Sequence, residues 1–380
     1  MGTLFDYLDW RGDLSFDSSP LNEVDSLILS QISYMDFEGI VPEAADSPVP
    51  LSVAAREYLR RHKGEIPYLG KILPPQTVSL TARAAKTRRF GSLSLCGYVN
   101  RIDDGAESQF SAVTFLSEKG RAYLAYRGTD DTLVGWKENF NMSFMMPVPA
   151  QLEAVAYLTR MAGALPGDFY LGGHSKGGNL AVYAAVKCDP RLMDRILEVF
   201  NNDGPGFDRP FVESAEYKSM RGKIRTLVPQ SSVVGMLLEH EENYEVVQSS
   251  ASGILQHNAF SWEVLGNRFI HLDTVVEESR LIDTTLKEWL QEMAPEERER
   301  FVDSFYETVS ATGAKTLTEL SAERVKLVKI WNTLDPKSRS VILKCISSMV
   351  KQSARAIRPT RRYAVKKKEG PREEKQKENG

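Results

Sequence analysis

The sequence predicts an α/β protein whose mostly parallel sheet is covered by helices on both faces. Two observations support this prediction. Apolar segments separated by turn residues begin at about Thr81, and strand-like and helix-like segments alternate from Leu152 onward. Alternation of this kind favours a parallel sheet, because each crossover helix lies on a face of the sheet. The 380 residues suffice for one large core and a smaller appended region.

Composition excludes several classes of protein. Hydrophobic residues make up 42% and charged residues 26%, which excludes a disordered chain, and the net charge of -3 offers no basic surface for nucleic acid. Cys96, Cys188 and Cys345 are odd in number and far apart, so we expect no disulfide framework and a reducing, cytoplasmic location. We expect no signal peptide, because the N-terminus has no basic region followed by an apolar run. We expect no transmembrane segment, because no apolar stretch approaches the ~20 residues of a span.

The elements follow in chain order. Helices are predicted at Leu21–Met35, with its apolar residues on one face, and at Ser52–Lys63, within an N-terminal extension over residues 1–75 that packs on the sheet. Three sequential antiparallel strands are then predicted at Ser92–Ile102, Phe110–Leu116 and Arg121–Tyr126. The alternating part that follows has helices at Val134–Phe144, Leu152–Gly163 and Gly178–Lys187 and strands at Asp168–Leu171, Arg195–Phe200 and Lys223–Val228.

After about Asp273 the strand pattern ends. Apolar residues then recur at helical spacing over residues 275–293, 295–311, 322–333 and 336–357. We therefore expect a main domain over residues 1–272, a C-terminal helical region over 273–357 and a tail over 358–380. The tail is mostly charged, with mixed signs, which predicts disorder rather than a nucleic-acid partner.

A G-x-S-x-G pattern, Gly173-His-Ser-Lys-Gly177, lies between a predicted strand and a predicted helix. This strand–turn–helix context is the setting of a nucleophile elbow, in which a tight turn exposes the serine and glycines relieve the crowding around it. Ser175 is therefore the candidate nucleophile, and the Lys176 amide at the helix start is a candidate oxyanion donor. A glycine-rich turn without chemistry is the alternative.

A serine nucleophile needs a base, and the five histidines narrow the choice. His62 precedes the sheet, and His174 lies inside the elbow, where it would point away from Ser175. The base follows the acid in the usual order of this fold, which leaves His240, His257 and His271. His257, in a loop that mixes polar and aromatic residues, is preferred over the other two.

The acid and the second oxyanion donor are assigned from their places after strands. Asp203 follows the strand after the elbow, and the carboxyl ends of parallel strands meet at one edge, so Asp203 is preferred and Asp208 is the alternative. Thr129 follows the strand that ends at Tyr126 and could donate its amide, and its hydroxyl as well, to an oxyanion. Each assignment has a structural alternative: Asp203 could be a plain turn residue, and Thr129 could cap a helix.

Several segments together carry a family resemblance: Tyr7–Phe16, Asn22–Asp25, Tyr126–Thr129, Gly173–Gly178, Asp203–Phe207, Val233–Leu237 and Gln256-His257 with Trp262. They resemble the Mbeg-type α/β-hydrolases, a bacterial family distantly similar to the class-three (fungal-type) lipases. The resemblance covers roughly residues 1–270, implies an α/β-hydrolase fold and supplies no substrate. Class-three lipases carry their acid in a stretch that here reads Leu227-Val-Pro-Gln-Ser-Ser-Val-Val-Gly, without an aspartate.

These residues predict a serine hydrolase that acts on a small-molecule or lipid ester through an acyl-serine intermediate. Such chemistry needs no cofactor or metal. Two other functions remain open: an inactive hydrolase fold kept as a binding module, and an acyltransferase that uses the same residues. The oligomeric state is not predicted.

Overall fold

A computed structural model describes residues 2–275 except 71–72, 143, 233, 236–237 and 239–243. Further along the chain it describes residues 299, 302–303, 306–307, 309–322, 331–332, 336, 339–340 and 343.

The described strands form one large sheet and one small hairpin. The large sheet has nine strands in the order β1-β2-β3-β4-β5-β6-β7-β8-β11, and β9 pairs with β10. The strands are β1 (Val49–Pro50), β2 (Ser94–Asp103), β3 (Ser108–Leu116), β4 (Ala122–Tyr126), β5 (Phe169–His174), β6 (Ile196–Asn202), β7 (Ile224–Pro229), β8 (Glu245–Val247), β9 (Val264–Leu265), β10 (Arg268–Phe269) and β11 (His271–Leu272).

The register of the sheet confirms the predicted mixture of directions. Strands β1 to β4 are antiparallel neighbours, β4 to β8 are parallel, and β11 returns antiparallel beside β8. The predicted strands correspond to β2–β7. The short strand β8 was not predicted, since three residues are too few to show a period.

Helices cover the sheet as expected for an α/β fold. The described helices are α1 (Leu4–Arg11), α2 (Glu23–Ile32), α3 (Leu51–Arg61), α4 (Gln76–Ala84), α5 (Arg88–Gly91), α6 (Leu133–Asn141), α7 (Pro149–Ala164), α8 (Lys176–Lys187), α9 (Pro190–Met193), α10 (Arg209–Val212), α11 (Ala215–Met220) and α12 (Leu317–Ala322).

Alternate residues of the central strands face two separate cores. In β4, Tyr123 and Ala125 join the core formed with α1–α5, whereas Leu124 and Tyr126 join the core formed with α7, α8 and α11. This division follows from the two-residue period of a strand, because successive side chains point to opposite faces. Burial on both faces explains why these strands read as nearly continuous apolar runs.

Helix α2 is buried on all sides, beyond the one apolar face that the sequence indicates. All ten of its residues are buried, including its serines. The hydroxyls of Ser26 and Ser30 lie 2.8 and 3.2 Å from the Tyr123 hydroxyl on β4. Asp25 forms a fully buried ion pair with Arg89. The polar face of α2 is therefore satisfied by partners that lie far away in sequence.

The C-terminal region is attached beside the start of α6. Thr316 forms an isolated antiparallel bridge with Thr132, and the Leu317 and Thr318 amides donate to the backbone oxygen and the carboxylate of Asp131, at 2.9 and 3.1 Å. Of the segment 295–311, the described residues 299, 302–303, 306–307 and 309–310 are helical, as predicted. The predicted helix over residues 275–293 lies outside the described residues except for residue 275, and the predicted tail lies wholly outside them.

Candidate active site

Ser175 stands at the sharp turn between β5 and α8, in the strand–turn–helix context that the sequence predicts. Its backbone has φ 59° and ψ -134°, a conformation that non-glycine residues rarely adopt. A Cβ on Gly177 would lie 2.0 Å from the Tyr126 carbonyl oxygen, and one on Gly173 would lie 2.2 Å from the Gly177 carbonyl carbon. Both glycines of the pattern are therefore required by close backbone approach.

Asp203 follows the last residue of β6, the strand beside β5. The register pairs His174 with Asn202, and the Ser175 amide donates to the Asn202 carbonyl at 3.0 Å, so the two strand ends lie side by side. The Asp203 side chain is fully buried. Its Oδ1 accepts from the Ser232 hydroxyl at 2.5 Å and from the Gly235 amide at 3.2 Å. These donors compensate for the burial of a carboxylate.

His257 is held against the second oxygen of that carboxylate. Its Nδ1 lies 2.6 Å from Asp203 Oδ2, and its side chain is 26% exposed, so the ring is open to solvent on part of its surface. The loop is anchored through the preceding residue. The Gln256 side chain accepts from the Ser231 amide at 2.8 Å, and the Gln256 carbonyl accepts from the indole of Trp262 at 2.9 Å.

The structure thus brings Ser175, Asp203 and His257 to one edge of the sheet. Within the described residues, the Ser175 hydroxyl and the His257 ring share no hydrogen bond. The other ring nitrogen of His257, Nε2, is the one not engaged by Asp203. In enzymes without a bound substrate, catalytic hydrogen bonds are often long or poorly aligned and form fully only when the substrate binds.

The loop after β4 packs directly on the elbow. A Cβ on Gly128 would lie 2.5 Å from the His174 carbonyl oxygen and 3.2 Å from Ser175 Cβ. The Thr129 hydroxyl donates to Asn139 at 2.8 Å, so it is engaged with α6. Among the described residues, neither the Thr129 nor the Lys176 amide has a protein acceptor. The two amides that the sequence suggests as oxyanion donors are therefore not engaged by another described residue.

The Lys176 side chain has a role that the sequence does not indicate. It is buried, and its ammonium donates to Glu138 Oε2 and Gln109 Oε1, both at 2.8 Å, and to the Gln109 carbonyl at 2.6 Å. The other oxygen of Glu138 accepts from the Ala150 amide at 2.9 Å. This buried network connects the elbow with β3, α6 and α7. No spacing along the chain relates positions 109, 138 and 176.

His174 also has contacts that could not be foreseen. Its side chain is buried between Tyr34 and His257, and burial, together with the neighbouring His257, lowers its pKa to about 3. The ring is therefore neutral at physiological pH.

The alternative candidates lie elsewhere. Asp208 caps α10 by accepting from the Phe211 amide at 2.9 Å, and His62 contacts the Tyr58 carbonyl at 2.8 Å. His271 lies on β11, beside Glu23 and Glu245. His240 lies outside the described residues.

One group of potential metal ligands occurs among the described residues: Glu23, Glu245 and His271, with ligand atoms within 4.8 Å of one another. Arg225 forms ion pairs with both carboxylates of this group. A guanidinium already neutralises these ligands, so the group is explained as an ion-pair network. No described helix is both long and apolar enough to cross a membrane.

Comparison with known proteins identifies the family. The Mbeg1-like family model matches residues 84–307, which include Ser175, Asp203 and His257. The chain belongs to the Mbeg1-like family. This Mbeg1-like chain continues beyond the match, since α12 lies outside it.

No curated protein matches the chain. Among solved structures, the Rhizomucor miehei lipase propeptide complex is similar at 16% identity, with a TM-score of 0.32. That similarity covers 42% of this Mbeg1-like chain and 58% of the lipase chain.

Proposed function

We propose that this Mbeg1-like chain is a serine hydrolase that cleaves a carboxylic ester through an acyl-serine intermediate. The observation that carries the proposal is the 2.6 Å contact between His257 Nδ1 and the buried carboxylate of Asp203, at the sheet edge that holds the Ser175 elbow. A carboxylate in this position holds an imidazole in the tautomer that a general base needs.

The proposed reaction uses each group in turn. His257 Nε2 takes the proton of the Ser175 hydroxyl while the serine oxygen attacks the ester carbonyl. The amides of Lys176 and Thr129 stabilise the oxyanion, and the dipole of α8 adds to their effect. The imidazolium then protonates the leaving alcohol, and water attacks the acyl-serine by the same route. Asp203 stabilises the imidazolium in both halves of the reaction.

The contact between Asp203 and His257 also favours a serine hydrolase over an inactive fold kept as a binding module. The lipase-type aspartate is missing from the stretch after Leu227 in the sequence. Asp203, at the end of β6, gives His257 a carboxylate partner without it. A binding module would have no need for a buried carboxylate aimed at a partly exposed imidazole.

Ester hydrolysis by the purified chain tests the proposal. We would assay p-nitrophenyl esters of increasing acyl length with the wild-type protein and with Ser175→Ala and His257→Gln. The proposal predicts hydrolysis that both folded variants lose. Activity that is unchanged in Ser175→Ala would exclude it. Partition of the acyl group to an added alcohol, at the expense of water, would identify an acyltransferase.

A further inference from the structure

The ring of His174 lies between the side chains of Tyr34 and His257. Its centroid is 4.6 Å from the His257 ring, at an interplanar angle of 32°, and 6.2 Å from the Tyr34 ring. His174 is buried, with only 7% of its surface exposed to solvent. Because His174 directly precedes Ser175, its contact with the His257 ring places the candidate base beside the elbow.

The hydrogen bonds of His174 define one tautomer. Its Nε2 lies 2.9 Å from the main-chain carbonyl of His257, and a carbonyl can only accept, so Nε2 carries the proton. In a neutral ring, Nδ1 is then an acceptor. The Tyr34 hydroxyl lies 3.3 Å from Nδ1 and 3.5 Å from the His174 carbonyl, so the nitrogen is the nearer acceptor for its proton.

The His174 bond complements the one from Asp203. Asp203 holds the side chain of His257 through Nδ1, whereas His174 holds its backbone and packs against its ring. Fixing a residue at both its backbone and its side chain restricts its remaining motion to small adjustments. Tyr34 connects this arrangement to the N-terminal extension, and its hydroxyl also lies against Gly128 of the loop after β4.

We propose that His174 is a positioning residue, which holds His257 in its working orientation by donating from Nε2 to the His257 carbonyl and packing against its ring. The inference rests on the proposed function, since it assigns His257 as the base. Neutrality of His174 matters as well, because a second cation beside the His257 ring would oppose the imidazolium that forms during the reaction.

Two substitutions of similar size separate positioning from simple packing. His174→Gln keeps a neutral N–H donor at about the place of Nε2, whereas His174→Leu fills the space without a donor. We expect His174→Leu to lower kcat for p-nitrophenyl acetate by about 10–100-fold with little change in KM, since misplacement by about 1 Å can cost 10²-fold. His174→Gln should recover most of that loss. Equal losses in both variants that follow their thermal stability, or no loss in His174→Leu, would overturn the proposal.

A measurement that needs no activity distinguishes failure of this inference from failure of the proposed function. Nitrogen-15 NMR of histidine-labelled wild-type protein reports the tautomer of each of the five histidines. We expect His174 to carry its proton on Nε2, and the His257 ring signals to shift or broaden in His174→Leu but not in His174→Gln. A proton on Nδ1 of His174, or unchanged His257 signals in His174→Leu, would overturn the inference even in an active enzyme. A wild-type protein without esterase activity but with the expected signals would refute only the proposed function.

Discussion

The carboxylate of Asp203 and the imidazole of His257 are joined by a hydrogen bond of 2.6 Å between Oδ2 and Nδ1. The carboxylate is fully buried and the imidazole is partly exposed. A buried acceptor therefore orients a ring that solvent or a substrate can reach.

Asp203→Asn tests the orienting role of the carboxylate. An amide that donates to Nδ1 would stabilise the tautomer with the proton on Nε2, which cannot act as the base. We expect kcat for ester hydrolysis to fall by roughly 10⁴-fold at neutral pH, the order of magnitude for this change in a Ser-His-Asp triad. Steady-state kinetics of the folded variant checks this.

Asp208→Asn is the matched control for that substitution. The Asp208 carboxylate caps α10 by accepting from the Phe211 amide, whereas Asp203 is the carboxylate bound to His257, so this variant should keep near-wild-type activity. If Asp208→Asn lost activity and Asp203→Asn kept it, the assignment of the acid would be wrong.

Ser175→Gly tests the backbone strain at the elbow. With φ 59° and ψ -134°, Ser175 adopts a conformation that glycine accepts more readily than any residue with a Cβ. Strain of this kind costs about 1–3 kcal/mol, partly offset by the greater chain entropy of unfolded glycine. We expect Ser175→Gly to exceed Ser175→Ala by about 1 kcal/mol in free energy of unfolding, measured with denaturant. A less stable glycine variant would contradict the assigned turn geometry.

Gly177→Ala tests the close approach beneath the elbow. Its Cβ would lie 2.0 Å from the Tyr126 carbonyl oxygen, so backbone must move. We expect a loss of at least about 2 kcal/mol in free energy of unfolding, in the range of strongly destabilising substitutions.

Gly163→Ala provides the control. Gly163 lies in α7, and a Cβ there would meet nothing within 4 Å. This substitution should stabilise the protein by up to about 1 kcal/mol, because alanine is the better helix former. Similar effects of the two substitutions on stability would show that the contact at Gly177 is not as tight as described.

Much of this site follows from local sequence. The elbow can be predicted because its two glycines and its serine lie within one short segment, Gly173–Gly177. Asp203 and Thr129 can be predicted as site residues because each follows a strand. The contacts of His174 with Tyr34 and of Lys176 with Glu138 cannot be predicted from local sequence, because they join positions that are 140 and 38 residues apart. The same limitation applies to α2. The sequence indicates only one apolar face, whereas the structure buries the whole helix, because its serines bind Tyr123 on β4.

The buried ring of His174 should also make the fold sensitive to acid. Its pKa of about 3 in the folded chain lies below the ordinary value of 6.5. Between these values the unfolded chain binds a proton that the folded chain excludes, so stability falls as the pH falls, by up to about 1.4 kcal/mol per pH unit. His174→Gln lacks this group, so its free energy of unfolding should decrease less steeply between pH 6 and pH 4. Parallel stability profiles for the two proteins would contradict a buried, neutral His174.

Labelling with a fluorophosphonate probe tests the central claim most directly, since the probe reacts with activated serines. Purified wild-type protein, Ser175→Ala and His257→Gln would be treated in parallel, and the labelled peptide would be identified by mass spectrometry. An activated serine with an assembled base predicts a label on Ser175 in the wild-type protein, none in Ser175→Ala, and labelling at least about 10³-fold slower in His257→Gln. A folded wild-type protein that takes up no label, or that His257→Gln matches in rate, would contradict the assignment of Ser175 and His257 as nucleophile and base.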